Sequence, residues 1–472
     1  MHNRTTRRAL LGGLASAPFL IGRPIETDAR IKELRTSYED YQYRAPYKFG
    51  ASVVDRVTLL NVECVIESRA GKTARGFGSM PLGNMWSWPS KELSYQQTLD
   101  AMKSLADRMV TIVRGYHEYG HPLDWNQDLE PKFLDQATEL SKSLVQPIPK
   151  LCTLVTASPF EAAFHDAFGK LHNRSAYRIY GKDLLPHDAS KYLGTEGEGM
   201  FLNRYVKSEV SPTVQVYHSV GALDPLTVKD VEKPVRDGLP ETLPEWIRYN
   251  GITHLKIKLN GEDLKWDLDR VSSIHRVATE VQRARGVDLW VYSLDFNERA
   301  KNVAYLLEFL NKLKEQAFEG YRRIQYVEQP TARDLKADRG NVMTEAAKIR
   351  PVVIDESLTG LDTLLLSREM GYSGVALKAC KGQSQAILMG AVAQKYKMFL
   401  CVQDLTCPGA SLIHSAGLAA RIPGVVAVEA NAREYVPAAN RKWENRFPGI
   451  FTFTDGMMRT STLTGNGLSA VV

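Results

Sequence analysis

Three carboxylates follow three consecutive short apolar segments in the second half of the chain, at Asp295, Glu328 and Asp355. If those segments are neighbouring strands, the three side chains face one point, where they repel one another unless a cation lies among them. Carboxylate oxygens are hard ligands that favour Mg²⁺, with Mn²⁺ as the alternative, over zinc. The spacing therefore predicts a divalent metal site with these three residues as its ligands.

Lysines flank this predicted metal site on both sides along the chain. Lys256 and Lys258 are two residues apart and so project from one face of a strand, and Lys378 lies beyond the last carboxylate. Ammonium groups packed beside a metal ion are expected to have lysine pKa values lowered toward neutrality, which would make them usable bases. We therefore predict Lys258 and Lys378 as the acid/base pair of a 1,1-proton transfer, with Lys256 orienting a substrate carboxylate.

Further candidates follow the same segments or lie in a loop far before them. Asp404 is predicted as an additional acid/base group, or as the partner of a lysine. Lys381 is a charged residue of the barrel rim, where a side chain often forms only an ion pair. Asn297 and Glu356 are predicted to support the metal ligands. Contacts with a substrate are predicted for Trp86, Trp88, His218 and Glu429.

The elements that would position these residues are short apolar strands that alternate with helices after residue 212. Eight strands are predicted, at residues 214–220, 254–259, 289–295, 324–328, 352–355, 374–378, 398–403 and 425–429. Their near-continuous apolar runs indicate burial on both faces. Eight strands with crossover helices predict a (β/α)-barrel, whose active-site residues lie at the carboxyl ends of the strands.

The chain is predicted to have three parts after a leader segment. These are an α+β capping domain with a linker at 24–212, the barrel at 213–432 and a C-terminal segment at 433–472 that packs back on the cap. In the cap we predict strands at 52–67 and 74–78, and helices at 94–115, 130–145 and 158–171. The glycine-bearing stretch 181–212 is predicted to be a linker or an inserted loop.

The N-terminus has the pattern of an export signal. Arg4, Arg7 and Arg8 precede an apolar run at 9–21, which is too short to span a bilayer and is followed by no longer run that predicts a stable membrane span. Its Arg-Arg pair resembles a twin-arginine signal. We predict a leader at 1–23 and export to the periplasm, with a disordered basic tail as the alternative.

The composition excludes several other classes of protein. The 472 residues are 44% hydrophobic and 24% charged, as in ordinary globular proteins. The net charge of +6 is modest, and no basic stripe is interleaved with aromatics, so nucleic-acid binding is not predicted. The five cysteines form no Cys-x-x-Cys pair, which argues against a zinc finger or a disulfide framework.

Together, these motifs resemble the enolase superfamily, in its muconate-lactonizing branch. The three carboxylates stand in its Asp-x-Asn, Glu-x-Pro and Asp-Glu-Ser contexts, and residues 256–258 match its Lys-x-Lys motif, in which the second lysine is the acid/base. Lys378 matches the opposing lysine, 46–50 resembles the start of the capping domain, and 160–170 resembles the helix that closes it. The resemblance implies a barrel enzyme that uses Mg²⁺ to abstract the α-proton of a carboxylate, commonly as a homo-oligomer.

The branch and the reaction are less constrained than the fold. The related mandelate racemase branch carries a His-Asp dyad at strands six and seven, whereas this chain has Lys378 and Asp404, with His414 ten residues farther on. Two lysines favour a racemase or epimerase acting on a small-molecule carboxylate. The alternatives are a dehydratase of an acid sugar, a cycloisomerase, and a non-catalytic exported carboxylate-binding protein, against which the complete set of three carboxylates and two lysines argues.

Overall fold

The computed structural model describes residues 26–470. The predicted leader at 1–23 lies outside the described residues. No helix among those described is long and apolar enough to cross a membrane. All five cysteines are buried free thiols.

The first part of the chain is an α+β cap. Its three-stranded antiparallel sheet has the order β1 (Ala29–Phe49), β2 (Ser52–Ser68) and β3 (Thr73–Pro81). Its helices are α1 (Asn84–Ser87), α2 (Tyr95–Arg114), α3 (Pro122–Ser141) and α4 (Lys150–Leu171). Strand β1 was not predicted, because this edge strand is largely exposed and rich in charged residues, so it lacks a clean alternation of apolar and polar positions.

Helix α4 begins eight residues earlier than the sequence predicts, because Pro159 lies inside it rather than at its start. A proline lacks the N–H that would bond to the carbonyl of residue 155, and the Ser158 hydroxyl donates to that oxygen at 2.8 Å instead. The helix lies so close to β3 that a Cβ at Gly76 or Gly78 would overlap its backbone oxygens. Glycine is therefore required at these two positions.

The second part is a closed barrel of eight parallel strands, which confirms the predicted fold class. The strands are β4 (Thr213–Val220), β5 (His254–Lys258), β6 (Val291–Asp295), β7 (Ile324–Glu328), β8 (Val352–Ile354), β9 (Gly374–Leu377), β10 (Phe399–Val402) and β11 (Val425–Glu429). Each strand pairs with the next in the chain, and β11 pairs with β4 to close the barrel. A short strand, β12 (Met457–Arg459), adds to β4 from outside, in antiparallel orientation.

Helices cover the outside of the barrel and connect its strands. The long ones are α6 (Leu243–Asn250), α7 (Leu264–Ala284), α8 (Val303–Gln316), α11 (Leu361–Glu369), α12 (Gln383–Lys395) and α13 (Ala410–Arg421). The shorter ones are α5 (Ser190–Leu193), α9 (Phe318–Arg322), α10 (Thr344–Ile349), α14 (Ala432–Tyr435), α15 (Arg441–Glu444) and α16 (Pro448–Phe451). The buried face of α7 repeats at helical spacing through Leu268, Val271, Ile274 and Ala278.

Two segments connect the parts of the molecule. Residues 181–212 contain only short helical pieces such as α5, and they bury Leu185, Leu193 and Met200 in the main core. The C-terminal segment contacts the cap, where Asp166 of α4 accepts a hydrogen bond from the backbone N–H of Leu468 at 2.8 Å. The cap and the barrel therefore share one continuous core.

A buried carboxyl group of the cap, on Glu161 in α4, lies at the start of barrel helix α12 and accepts a hydrogen bond from the backbone N–H of Ser384 at 2.8 Å. Burial raises the pKa of Glu161 to about 8, well above its usual range. The folded state therefore holds a proton that the unfolded chain releases near pH 4.5, so this stabilisation is complete below pH 4.5 and is lost as the pH rises through 8.

We expect Glu161→Gln, which keeps an acceptor for Ser384 but does not titrate, to flatten this pH dependence. In thermal unfolding at pH 5, 7 and 8.5, the unfolding temperature of the variant should rise relative to that of the wild type as the pH increases. Glu92→Gln, at an exposed position, is the control and should run parallel to the wild type. A constant difference between the Glu161 variant and the wild type at all three pH values would contradict the expectation.

Candidate active site

The charged side chains predicted to be functional come together at one end of the barrel. Each stands at the carboxyl end of its strand, where parallel strands end at a common mouth. Lys256 and Lys258 come from β5, Asp295 ends β6, and Glu328 ends β7. Asp355, Lys378 and Asp404 follow β8, β9 and β10, and Glu429 ends β11.

Lys256 lies at the centre of the mouth and is only 1% exposed. Its Nζ donates to Glu328 Oε1 at 2.8 Å, to Glu429 Oε2 at 3.0 Å and to Gln403 Oε1 at 2.7 Å. A carboxylate oxygen of Asp295 lies 3.2 Å from the same nitrogen. One ammonium group thus holds three carboxylates from three different strands.

The other three lysines each pair with one of the outer carboxylates. Lys258 Nζ lies 2.5 Å from Asp295 Oδ2, and Lys378 Nζ lies 2.9 Å from Asp355 Oδ2. Lys381 is fully buried and lies 3.1 Å from the second oxygen of Asp355. Strands β5 and β9 are four apart in the eight-stranded barrel, so Lys258 and Lys378 approach the mouth from opposite sides.

The expected lowering of the lysine pKa values is wrong for two of the predicted residues. Burial alone would lower the pKa of Lys256, but the carboxylates of Glu328, Glu429 and Asp295 outweigh it and raise that pKa well above its usual range. The pKa of Lys378 is likewise raised, by Asp355, against the effect of burial. The carboxyl groups at the mouth outnumber its lysines, and this excess is what the prediction lacked.

The carboxylates respond to the same balance of burial and charge. Burial raises the pKa of Glu328 well above its usual range, only partly offset by Lys256. Burial also opposes ionisation of Asp355, but Lys378 and Lys381 hold its pKa below the usual range. Lys381 is the lysine whose pKa is lowered, mainly by burial. The predicted metal ligands are therefore neutralised unequally, with Glu328 the least stabilised as an anion.

The donor set at the mouth fits a divalent cation by charge and chemistry. Four buried lysines stand against six buried carboxyl groups, those of Asp295, Glu328, Asp355, Glu356, Asp404 and Glu429. If all are ionised, the formal charge is −2. Among residues 26–470, however, no group of three or more His, Cys, Asp or Glu side chains has metal-binding geometry as it stands. The three predicted ligands Asp295, Glu328 and Asp355 instead pair with lysines, namely Lys258, Lys256 and Lys378.

Asp404 and Glu429 are joined by Asn431, which the prediction left out. The Asn431 backbone N–H donates to Asp404 Oδ2 at 3.1 Å, and its side-chain amide donates to Glu429 Oε1 at 2.7 Å. The backbone N–H of Thr406 donates to the other oxygen of Asp404 at 3.0 Å. Burial and the nearby Glu429 raise the pKa of Asp404 to about 6. Both oxygens of Asp404 accept hydrogen bonds, so it is held as an acceptor.

The cap reaches the site through Trp86. The indole ring centroid lies 4.2 Å from Lys378 Nζ, and the indole N–H donates to Glu356 Oε1 at 2.8 Å. The backbone oxygen of Trp86 accepts from Arg333 at 3.0 Å, and Arg333 pairs with Glu298 at 2.5 Å. These bonds fix helix α1, which carries Trp86, against the ends of the barrel strands.

We expect Trp86→Phe to destabilise the protein by about 1–3 kcal/mol, since it leaves the buried Glu356 carboxyl group without its donor but keeps an aromatic face near Lys378. The free energy of unfolding from urea titration measures this change. The matched control is Trp290→Phe in the barrel, which removes an indole N–H donor from Tyr292 rather than from a carboxyl group and should cost less. Equal costs would argue against the Trp86–Glu356 bond.

The remaining predicted residues divide between the site and the core. The backbone N–H of Asn297 donates to Asp295 Oδ1 at 2.8 Å, and Glu356 receives the Trp86 bond, so both contact the site as expected. Trp88 lies in the hydrophobic core instead. His218 lies in a separate small cavity, 2.9 Å from Glu434, and burial lowers its pKa to about 4. The structure therefore does not bring Trp88 or His218 to the mouth.

A cavity of about 50 Å³, measured as space open to the centres of water molecules, lies between the cap and the barrel mouth. Lys256, Lys258 and Lys378 line its floor. Its roof includes side chains that the prediction missed: Tyr43, Tyr47, Phe49, Val54, Arg56, Met85 and Tyr95. The spacing of Tyr43, Tyr47 and Phe49 could have revealed one face of a strand, had β1 been recognised.

Comparison with solved structures shows the same fold. The dipeptide epimerase from Enterococcus faecalis, described in complex with Mg and L-Leu-L-Tyr, is 15% identical, with a TM-score of 0.61 over 93% of this chain and 99% of that one. The L-Ala-D/L-Glu epimerase from Bacillus subtilis is 17% identical, with a TM-score of 0.60 over 93% and 98%. The muconate lactonizing enzyme from Pseudomonas fluorescens is 17% identical, with a TM-score of 0.59 over 93% and 96%.

Sequence comparison agrees with the fold for the barrel. No curated protein matches the chain. Residues 239–471, which include seven of the eight barrel strands and every candidate at their ends, match the family model described as "Enolase C-terminal domain-like". This match covers most of the barrel, and the capped barrel as a whole has the fold of relatives of mandelate racemase and muconate lactonizing enzyme, so the chain is similar to the enolase superfamily.

Proposed function

We propose that the protein is a racemase or epimerase that removes and returns the α-proton of a carboxylate substrate. The observation that carries the proposal is the placement of Lys258 and Lys378. They line one cavity, approach it from strands four apart, and pair with different carboxylates. A carbon held between two such groups can lose a proton to one and regain it from the other on the opposite face.

Each lysine that lines the cavity has a distinct role in the proposed reaction. Lys256, fixed by three carboxylates and Gln403, presents positive charge at the floor, where a substrate carboxylate would lie. The roof of the cavity excludes water from the reacting carbon, which strengthens each electrostatic contact there. Lys258 and Lys378 exchange the proton at their Nζ atoms.

Asp295, Glu328 and Asp355 would hold a divalent ion. Such an ion fits the mouth because its carboxyl groups outnumber its lysines. Mg²⁺ suits their oxygen ligands, and Mn²⁺ is the alternative. When bound, the ion would polarise the substrate carboxylate and stabilise the negative charge left by proton removal. It would also offset the carboxylates that raise the pKa values of Lys256 and Lys378.

A β-elimination, as in an acid-sugar dehydratase, is the second candidate. It needs a general acid near the β-carbon, and Asp404 lines the cavity with a pKa raised to about 6. Against this role, both oxygens of Asp404 already accept hydrogen bonds from Thr406 and Asn431, which favour the anion. Racemisation requires no such acid, so it is the simpler fit to the geometry.

The test is α-proton exchange in D₂O. The full chain is incubated with MgCl₂ and a library of amino-acid derivatives, dipeptides and acid sugars, and deuterium incorporation is followed by NMR. We expect exchange that EDTA abolishes, with stereochemical inversion rather than loss of a β-substituent. A library member that eliminates instead supports the dehydratase. A protein that binds carboxylates but exchanges none of them supports the binding protein.

A further inference from the structure

The cavity has two unlike sides. The barrel side is charged, with three lysines, and with Asp355, Asp404 and Glu429 among its lining residues. The cap side consists mainly of aromatic and aliphatic side chains from β1, β2, the loop after β3, and α2. We call this cap side the roof. A carboxylate held by the floor would therefore direct the rest of the molecule toward the roof.

Four polar groups of the roof are paired with protein partners. The hydroxyl of Thr58 donates to Asp40 at 2.5 Å, and the side-chain amide of Asn84 donates to the backbone oxygen of Tyr95 at 2.9 Å. The Tyr47 hydroxyl is bonded to Ser219 at 3.0 Å. The indole N–H of Trp86 is committed to Glu356, as described above. These four groups are therefore engaged within the protein, and the other roof side chains are mainly aromatic and aliphatic.

Among residues 26–470, Arg56 is the one charged residue that lines the roof, and it lies at the rim. Half of its side chain is exposed, its guanidinium lies 4.8 Å from the centroid of the Tyr95 ring, and it pairs with Asp55 at 3.3 Å. Because this guanidinium is already stacked and paired, it contributes mainly a planar face to the roof rather than free N–H donors. The inner part of the roof remains apolar.

The apolar roof determines which substrate groups can pack against it. A polyhydroxylated acid would bring hydroxyl groups against ring faces, where they lose their bonds to water and gain none. An apolar or aromatic group would release water from the same surface and pack against it. Building on the proposed function, we propose that the roof selects α-proton-bearing carboxylates whose remaining group is apolar or aromatic, and rejects acid sugars.

Binding of two carboxylates of similar size tests this selection without relying on turnover. The probes are 3-phenylpropanoate and D-gluconate, titrated by calorimetry into the full chain with saturating MgCl₂. We expect 3-phenylpropanoate to bind at least about tenfold more tightly. Met85→Gln, which places an amide in the roof at a partly exposed position, should reduce that ratio several-fold. Met457→Gln, equally exposed but on β12 outside the cavity, should leave it unchanged.

Three outcomes would overturn the inference: gluconate binding as tightly as 3-phenylpropanoate, neither probe binding, or Met85→Gln changing the ratio no more than Met457→Gln does. The exchange experiment separates this inference from the proposed function. Exchange confined to acid sugars would support α-proton abstraction and reject the apolar substrate class. A preference for 3-phenylpropanoate without any exchange would support the roof and reject the reaction.

Discussion

Racemisation should fall by about 10²–10⁴-fold in both Lys258→Ala and Lys378→Ala, because each removes one of the two proton-transfer groups. The two variants should nevertheless differ. A lysine that remains can still take the proton from its own side and return deuterium there. Each variant is therefore expected to exchange the α-proton of one enantiomer without inverting it, and the two variants should act on opposite enantiomers.

The measurement uses each enantiomer of a substrate found by the exchange screen, with deuterium incorporation followed by NMR and inversion by chiral chromatography. Lys258→Arg is the control for charge, because arginine can keep the ion pair with Asp295 but does not deprotonate near neutral pH. It should behave as Lys258→Ala does. If both alanine variants lose exchange of the same enantiomer, a single base acts and the two-base assignment is wrong.

Much of the barrel was predictable because its signals are local. A short buried strand is a continuous apolar run, and the charged residue at its end interrupts that run, so each boundary could be predicted to within two residues. The cap sheet was harder to predict from the sequence. Strand β1 pairs with β2 along most of its length, yet between Ala29 and Phe49 few positions are fully buried and many residues are charged. Its position depends on its partner strand, which a single segment does not reveal.

The same difference between local and long-range signals applies to the site. The order of strand ends predicted which charges meet, since the carboxyl ends of parallel strands share one mouth. It did not predict how those charges pair: Lys256 holds carboxylates from β6, β7 and β11, which are 39 to 173 residues away in sequence. Nor did it separate Trp86 from Trp88: both are buried, but Trp86 lies beside Lys378 and lines the cavity, whereas Trp88 does not line it.

We expect Lys256→Met to destabilise the metal-free protein by about 3–5 kcal/mol, the cost of breaking a buried ion pair by removing one partner. Methionine fills nearly the same space, so the loss is one of charge rather than of packing. Without the ammonium group, Glu328 and Glu429 lose their nearest cation, and Asp295 keeps only Lys258. Urea unfolding in EDTA measures the effect.

Lys265→Met is the matched control, because the same chemical change there removes an ion pair that is exposed on α7 and contributes little. It should unfold with the midpoint of the wild type. Added MgCl₂ should raise the midpoint more in Lys256→Met than in the wild type, since a divalent ion at Asp295, Glu328 and Asp355 replaces the missing charge. A Lys256→Met protein that unfolds like the wild type in EDTA would mean that these carboxylates are largely protonated. In that case the lysine is not what balances the charge of the mouth.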